Sequence, residues 1–409
     1  MTENVLIEEL CTRSSSLCKE RHVLCIQDTT EMNYYSKRHR IKDDSGFGRL
    51  DGGEQSLGFK MHSALMLDAV SGDLLGFSDI KLWNRSMEVP DSKYRDKYKS
   101  LPIEDKESYK WIEVAQKSNE RLKDALSITF VEDREGDIYE QLSLPRADNI
   151  HYLIRSKANR NTTIGRKAWE VLKEQPDLGS YILSLPTDHR KRRTKSLITL
   201  KVRYAPIQIT KGDNRKNASA YPPNVALNIV EAYEDKPGGI NWKILTTHPI
   251  TTFEEAYQII EWYSQRWMIE QMHRMLKHKG FQIEDSELES GWAIRKLCVI
   301  MLSALLRIIQ MNIAYSEPEG GQPVTDVFSE KEIECLQHIS TKLQGKTIKL
   351  QNNNNHKNLK WATWIIARLG GWKGYDSQGL PGIILLKRGL DKFAAIYFGW
   401  QLAKDVGTR

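Results

Sequence analysis

The sequence predicts an α/β chain with a mixed-sheet core, an inserted β domain and a helical C-terminal region. Three observations carry this. Two apolar strand-like runs, 23–28 and 125–133, each end in an acid, with a hairpin pattern and a helical pattern between them. Over 149–245 the texture changes to short β-like runs separated by basic or turn-rich loops. The stretch 252–280 then has no Gly or Pro before its last residue and reads as one long amphipathic helix.

Composition sets the outer bounds. A chain of 409 residues buries a large core, and two or three structural units are expected. Sixty Lys and Arg against 53 Asp and Glu leave a net charge of +7, which favours a polyanionic partner without naming one. The five cysteines, Cys11, Cys18, Cys25, Cys298 and Cys335, form no CxxC pair and no zinc spacing, so a reducing cytoplasm is expected rather than a disulfide scaffold. The first 19 residues lack a signal-peptide core, and no run of about 18 apolar residues suggests a membrane span.

Taken in order, residues 1–20 are a weakly patterned lead-in, either a short helix or disordered. The core begins over 21–148. Strand 23–28 is followed by a Gly-rich stretch, a second strand from His62 to Asp68, the turn Ser71-Gly72-Asp73 and a returning strand over 74–83, a three-stranded antiparallel meander. Residues 88–106 read as a charged loop, 106–122 as a helix, and 125–133 as the second acid-tipped strand, an order that fits an RNase H-like sheet. The insert, 149–245, has strand-like runs at 152–155, 181–185, 196–204, 225–232 and 242–246; its basic run 189–195 is either a solvated loop or a DNA contact. The core resumes over 246–315 with the long helix and a more buried one at 289–315. Residues 316–409 form the helical C-terminal region, with helices expected at 324–342, 361–369 and 388–404.

The long stretch opens with a capping box, Thr252 with Glu255. At about 100° per residue, Tyr263, Arg266, Glu270 and Lys277 fall within roughly 60° of one another. Met268, Ile269, Met272, Met275 and Leu276 lie opposite and would pack on the core. Such a stripe also fits an ordinary surface ion pair. Asp28, an acid at 133–137 and Glu270 make a trio suited to phosphodiester chemistry. Hard divalent ions such as Mg2+ or Mn2+ favour carboxylate oxygens, and two of them about 3.5–4 Å apart activate the attacking oxygen and stabilise the leaving one. Spacing alone does not choose among Asp133, Glu135 and Asp137.

The pattern Tyr263-x2-Arg266-x3-Glu270-x6-Lys277 resembles the YREK signature of bacterial insertion-sequence transposases, the cut-and-paste DDE enzymes of the kind carried by the composite kanamycin-resistance transposon. Asp28-Thr29-Thr30 resembles their first-aspartate motif, and Asp133-Arg134-Glu135-Gly136-Asp137-Ile138 their second. The resemblance implies a catalytic, metal-binding triad of Asp28, Asp133 and Glu270 with two Mg2+ or Mn2+ ions. It also implies phosphate grips from Tyr263, Arg266 and Lys277, and DNA-end contacts from Arg155 and Lys157 in Arg155-Ser156-Lys157. Trp242 sits at the family spacing for a tryptophan that stacks on a base flipped from a hairpin intermediate, or else is a strand core residue. His273 reads as a DNA-facing or plain helix-surface residue, and Glu107-Ser108-Tyr109-Lys110-Trp111 is left without a chemical role.

By the same resemblance, Gly370-Gly371 and 390–402 form a dimerisation tail, and two subunits cut paired double-stranded DNA ends through a hairpin before strand transfer. The expected setting is the bacterial cytoplasm, at the nucleoid. Members of the family carry a domain that reads the transposon end ahead of the first catalytic strand. With twenty-odd residues ahead of Asp28's strand here, the sequence is either part of a longer protein or a shortened form. Three other readings stand beside transposition: a non-catalytic inhibitor acting through heterodimers, a plain metal-dependent nuclease, and a DNA-binding protein with decayed chemistry.

Overall fold

Alternation along β1, His22–Asn33, sets the layers of the molecule. Its Leu24 and Ile26 face one hydrophobic core, and Val23 and Cys25 face another on the opposite side of the sheet. The computed structural model describes all residues except 43–44, 54–55, 89–97, 99, 186–195, 213–219, 279, 317–320, 376–377 and 408–409. The basic run at 189–195 therefore lies outside the described residues.

The lead-in is a helix, α1, Glu3–Ser15, with Thr2 as its cap, and it lies against the edge of the sheet. Its Ser14 sits so close to Gly76 that a Cβ there would collide with it, and Gly76 also holds a φ of +136°. The antiparallel meander is β1, β2 (Gly58–Asp68) and β3 (Leu74–Trp83). Then follow α2 (Tyr109–Arg121), β4 (Ser127–Glu132), the short α3 (Tyr139–Ser143), and β5 (Ile150–Arg155). Strands β1, β4 and β5 run parallel.

The strands of the expected β insert continue this sheet. After α4 (Ala168–Lys173), which the sequence reading missed, come β6 (Gly179–Leu185), β7 (Ser196–Thr210), β8 (Asn224–Tyr233) and β9 (Asn241–Thr246). Strand β9 pairs antiparallel with β5, giving among the described residues one nine-stranded sheet in the order β3-β2-β1-β4-β5-β9-β8-β7-β6. The boundary expected at 149 thus falls at the start of a core strand, because Leu153 and Ile154 are buried in the two opposite cores.

The expected long helix is two: α5, Phe253–Ser264, and α6, Trp267–Lys277. The capping box forms as read, with the Glu255 amide donating to Thr252 Oγ1 at 3.2 Å. At the junction the amides of Gln265, Arg266 and Met268 each donate to the carbonyl three residues back, at 3.1, 3.1 and 2.9 Å. A three-residue turn advances about 20° more per residue than an α-helix. That rotation takes Tyr263 off the polar stripe and into the core, where it is 5% exposed.

Helix α7, Gly291–Ser316, is long and apolar enough by length and composition to cross a membrane. Its Ile294, Cys298, Leu302 and Leu305 are packed in the core beside α5 and α6. Helices α8 (Glu330–Leu343), α9 (Leu359–Leu369) and α10 (Ile383–Gly407) add Leu336, Ile365 and Leu386 to that same layer. All five cysteines are free and buried.

Candidate active site

Asp28 lies mid-strand rather than at a strand end. Strand β2 pairs with β1 as far as Asn33, whereas the parallel ladder to β4 ends at Ile26↔Val131. Two residues further in that register, Asp28 comes level with Asp133, where β4 has given way to a short turn. Both acids share the parity of Ile26 and Val131, and so belong to the face covered by α5 and α6. Where the parallel ladder of β1 and β4 stops, the two strands thus present two acids at one level.

Local bonding separates the three acids that spacing could not. Asp133 caps its turn, accepting the Glu135 amide at 2.7 Å. Burial pushes its carboxyl above the usual range; that amide and Arg266 pull it back, and the charge on Asp28 adds to the rise. Glu135 reaches Lys110 at 3.3 Å on the surface. Asp137 is structural: it pairs with Arg160 and accepts the amide of Lys157 at 2.7 Å. Asp137→Ala leaves the half-buried Arg160 guanidinium only its bond to the 137 carbonyl and frees the Lys157 loop, so a loss of about 2 kcal/mol is expected. Urea unfolding measures it, and an unchanged midpoint would remove the pair from the account.

Helix α6 supplies the rest. Arg266 pairs with Glu270 one turn on, and its Nη1 stands 3.9 Å from Asp28 Oδ1. Burial opposes the charge on this guanidinium, but the Tyr263 hydroxyl, Glu270, Asp28 and Asp133 outweigh it and hold it protonated. His273, expected on the surface, is 5% exposed. Its Nε2 lies 3.1 Å from Ser63 Oγ and its Nδ1 3.6 Å from Asp28 Oδ2.

Tyr263 sits behind this group. Burial raises its phenol against the opposing pull of Arg266 and Arg155, whose side chains its hydroxyl meets. Trp242, half-buried on β9, packs edge-on against the Tyr263 ring at 6.1 Å. Arg155 also reaches the Asn241 carbonyl at 3.5 Å. Asp28, Asp133, Arg266, Glu270, Tyr263, Arg155 and Trp242 are thus one connected group. Lys157 is exposed at the rim of a cavity of about 350 Å³ that Thr29, Lys110 and Glu135 also line. Lys277 is half-buried in the last turn of α6, and no described contact joins it to the acids.

Sequence reasoning missed what lies on the other face of the same strands. Glu132 is fully buried, and its Oε1 accepts from Gln27 at 3.2 Å and from Gln141. Gln27 Oε1 in turn meets His62 Nε2 at 2.8 Å, and His62 Nδ1 meets Thr29 Oγ1 at 2.8 Å. Burial drives the Glu132 carboxyl well above its usual range. Glu132 Oε2 and Gln141 Oε1 are both buried without a hydrogen-bond partner among the described residues. A Cβ at Gly136 would collide with Glu132 Oε2, so glycine is required there. The signal was in the sequence: Gln27, His62 and Glu132 are polar residues at core parity in apolar strands. Trp267 was also passed over, and is 51% exposed beside Arg266.

The donor types suit a hard divalent cation: Asp28 and Asp133 stand level on neighbouring strands, and the carboxyl of Asp133 is desolvated and raised beside its neighbour's charge. Among the described residues, no three His, Cys, Asp or Glu side chains close into a metal-binding group as they stand. Glu270 is instead engaged by Arg266.

A family model for the transposase DDE domain matches residues 91–307, taking in Asp133 and Glu270 and beginning after Asp28. Among solved structures, a cryo-EM structure of a piggyBac transposase synaptic complex with hairpin DNA matches at 8% identity and a TM-score of 0.35, over 92% of this chain. This chain covers 57% of that one. The family match spans more than half of the 409 residues, and on that ground the chain belongs to the transposase DDE domain family.

Proposed function

We propose that the protein is a DNA transposase that cuts a transposon end and joins it to target DNA. The observation that carries this is the level placement of Asp28 and Asp133, with Arg266 reaching from Asp28 to Glu270. Asp28, Asp133 and Glu270 would hold two Mg2+ or Mn2+ ions. When bound, such ions activate a water or 3′-hydroxyl for attack and stabilise the departing oxygen.

The chain's own residues do the rest. Arg266 orients Glu270 and offers its remaining donors to a phosphate, and the buried Tyr263 fixes the direction of Arg266 and Arg155. Lys157 and Lys277 add positive charge along the strand path. Trp242 presents an indole beside Tyr263 for a base displaced from the stack. The YREK spacing supports cleavage through a hairpin, carried out in a paired-end complex of two subunits. The exposed Ile384, Ile396, Phe398 and Leu402 of α10 support pairing through the C-terminal region.

The test uses the purified chain, Mg2+ or Mn2+, and a pre-nicked DNA end from the sequence flanking its gene, scored on denaturing gels. Hairpin and strand-transfer products are expected from the wild type and not from Glu270→Gln. Cutting without joining would replace the proposal with a plain nuclease. If both proteins were inert yet bound intact transposase, the inhibitor reading would take its place.

A further inference from the structure

The structure assigns His273 as the residue that positions Asp28, through a Ser63–His273–Asp28 chain that ties α6 to β1 and β2. The inference rests on the proposed role of Asp28 as a cation ligand. Ser63 is the cross-strand partner of Asp28 in the β1–β2 ladder, and both residues belong to the face that α6 covers. The imidazole fills the space between them, buried, with one nitrogen toward each.

A neutral imidazole has one N–H and one lone pair. If Nε2 carried the proton, the lone pair of Nδ1 would face the carboxylate of Asp28, which is repulsive. With the Ser63 hydroxyl donating to Nε2, Nδ1–H points at Asp28 Oδ2, which is favourable. At 3.6 Å that contact is longer than a hydrogen bond, and a small rotation of either side chain closes it. Arg266 stands off the other oxygen, Oδ1. Each oxygen of Asp28 is therefore faced by a side chain of α6 or of its N-cap, Arg266, so the helix that carries Glu270 and its cap set the direction of both acids together. Partners that orient a ligand in this way alter metal affinity about 10–100-fold when removed.

Two substitutions separate positioning from packing. In His273→Asn the side-chain amide takes the place of Nδ1 and keeps a donor toward Asp28. In His273→Gln it takes the place of Nε2 and keeps only the tie to Ser63. Mn2+ binding to the purified full chain, read from the electron paramagnetic resonance signal of free Mn2+, is compared with metal-dependent cleavage and thermal unfolding. The expected result is Mn2+ affinity about tenfold weaker in His273→Gln and within about twofold of wild type in His273→Asn, with cleavage following the same order.

Equal affinities in all three proteins, the reverse order, or an equal loss in both variants together with a lowered unfolding temperature would each overturn the assignment. Mn2+ binding in the expected order without cleavage by any of the three would uphold it and count against the transposase reading instead. A wild type that binds no Mn2+ would sink both.

Discussion

Asp133→Asn is expected to abolish metal-dependent DNA cleavage, by on the order of 10³-fold or more, and to leave unfolding nearly unchanged. The carboxyl is only partly buried, and its one structural duty, accepting the Glu135 amide, passes to the amide oxygen of asparagine. What asparagine cannot supply is a second anionic oxygen set beside Asp28. The neighbouring Glu132→Gln is expected to do the opposite, leaving the rate within about threefold. Burial already favours the uncharged form of Glu132, and glutamine repeats its shape without a charge. Glu132→Ala, by contrast, strands the Gln27 and Gln141 amides and should cost about 2–3 kcal/mol. Single-turnover cleavage of a pre-nicked end, read beside urea unfolding, checks all three. A Glu132→Gln protein as inactive as Asp133→Asn would mean that the chemistry extends to the far face of the sheet.

The contrast between these two adjacent acids marks where sequence reading works and where it stops. Unbroken apolar runs ahead of Asp28 and Asp133 marked β1 and β4 as buried strands, and the capping box fixed the start of α5 because its hydrogen bonds are local. Register is not local. That Asp28 stands level with Asp133 follows from pairing between residues about a hundred positions apart, as does the joining of β9 to β5 that carries the sheet on into β6–β8. The tightened turn at Gln265 and Arg266 also escaped a wheel drawn at constant pitch, and with it the burial of Tyr263. His273 was misplaced for a different reason. Its side of the helix meets Ser63 and Asp28, polar groups of the sheet, so its burial is polar and leaves no apolar signature.

Acid should loosen this fold from the end of the sheet opposite the carboxylates. His22, His151 and His248 gather at the starts of β1 and β5 and just after β9; the rings of His151 and His248 stack at 3.8 Å, and Trp262 of α5 meets His22 edge-on at 4.7 Å. Thr129 Oγ1 stands 2.8 Å from His22 Nε2 and 2.9 Å from His248 Nε2. Burial and the neighbouring histidines push His22 down to about 4 and His248 down to about 3, and His151 is lowered by burial and by Arg146. Asp68 works the other way on His22 but is outweighed. In the unfolded chain each histidine takes up a proton near pH 6.5. Between that pH and the folded values the unfolded state binds more protons, so the stability these groups contribute is full above 6.5 and drains away as the pH falls toward 4 and 3. Carboxyls raised by burial, Asp79 and Asp326 among them, slope in the opposite sense, so the total alone decides nothing. The informative quantity is the difference made by His248→Asn. Urea unfolding between pH 7.5 and 5 should show its slope reduced by up to about 1.4 kcal/mol per pH unit, the value for one proton. Trp262 precedes Tyr263 on α5 and donates to the Ala69 carbonyl at 3.3 Å, so loosening this cluster would be felt at the helix that orients Arg266. A slope identical to wild type would show that His248 is reached by water in the native state and that the cluster does not hold α5 against the sheet.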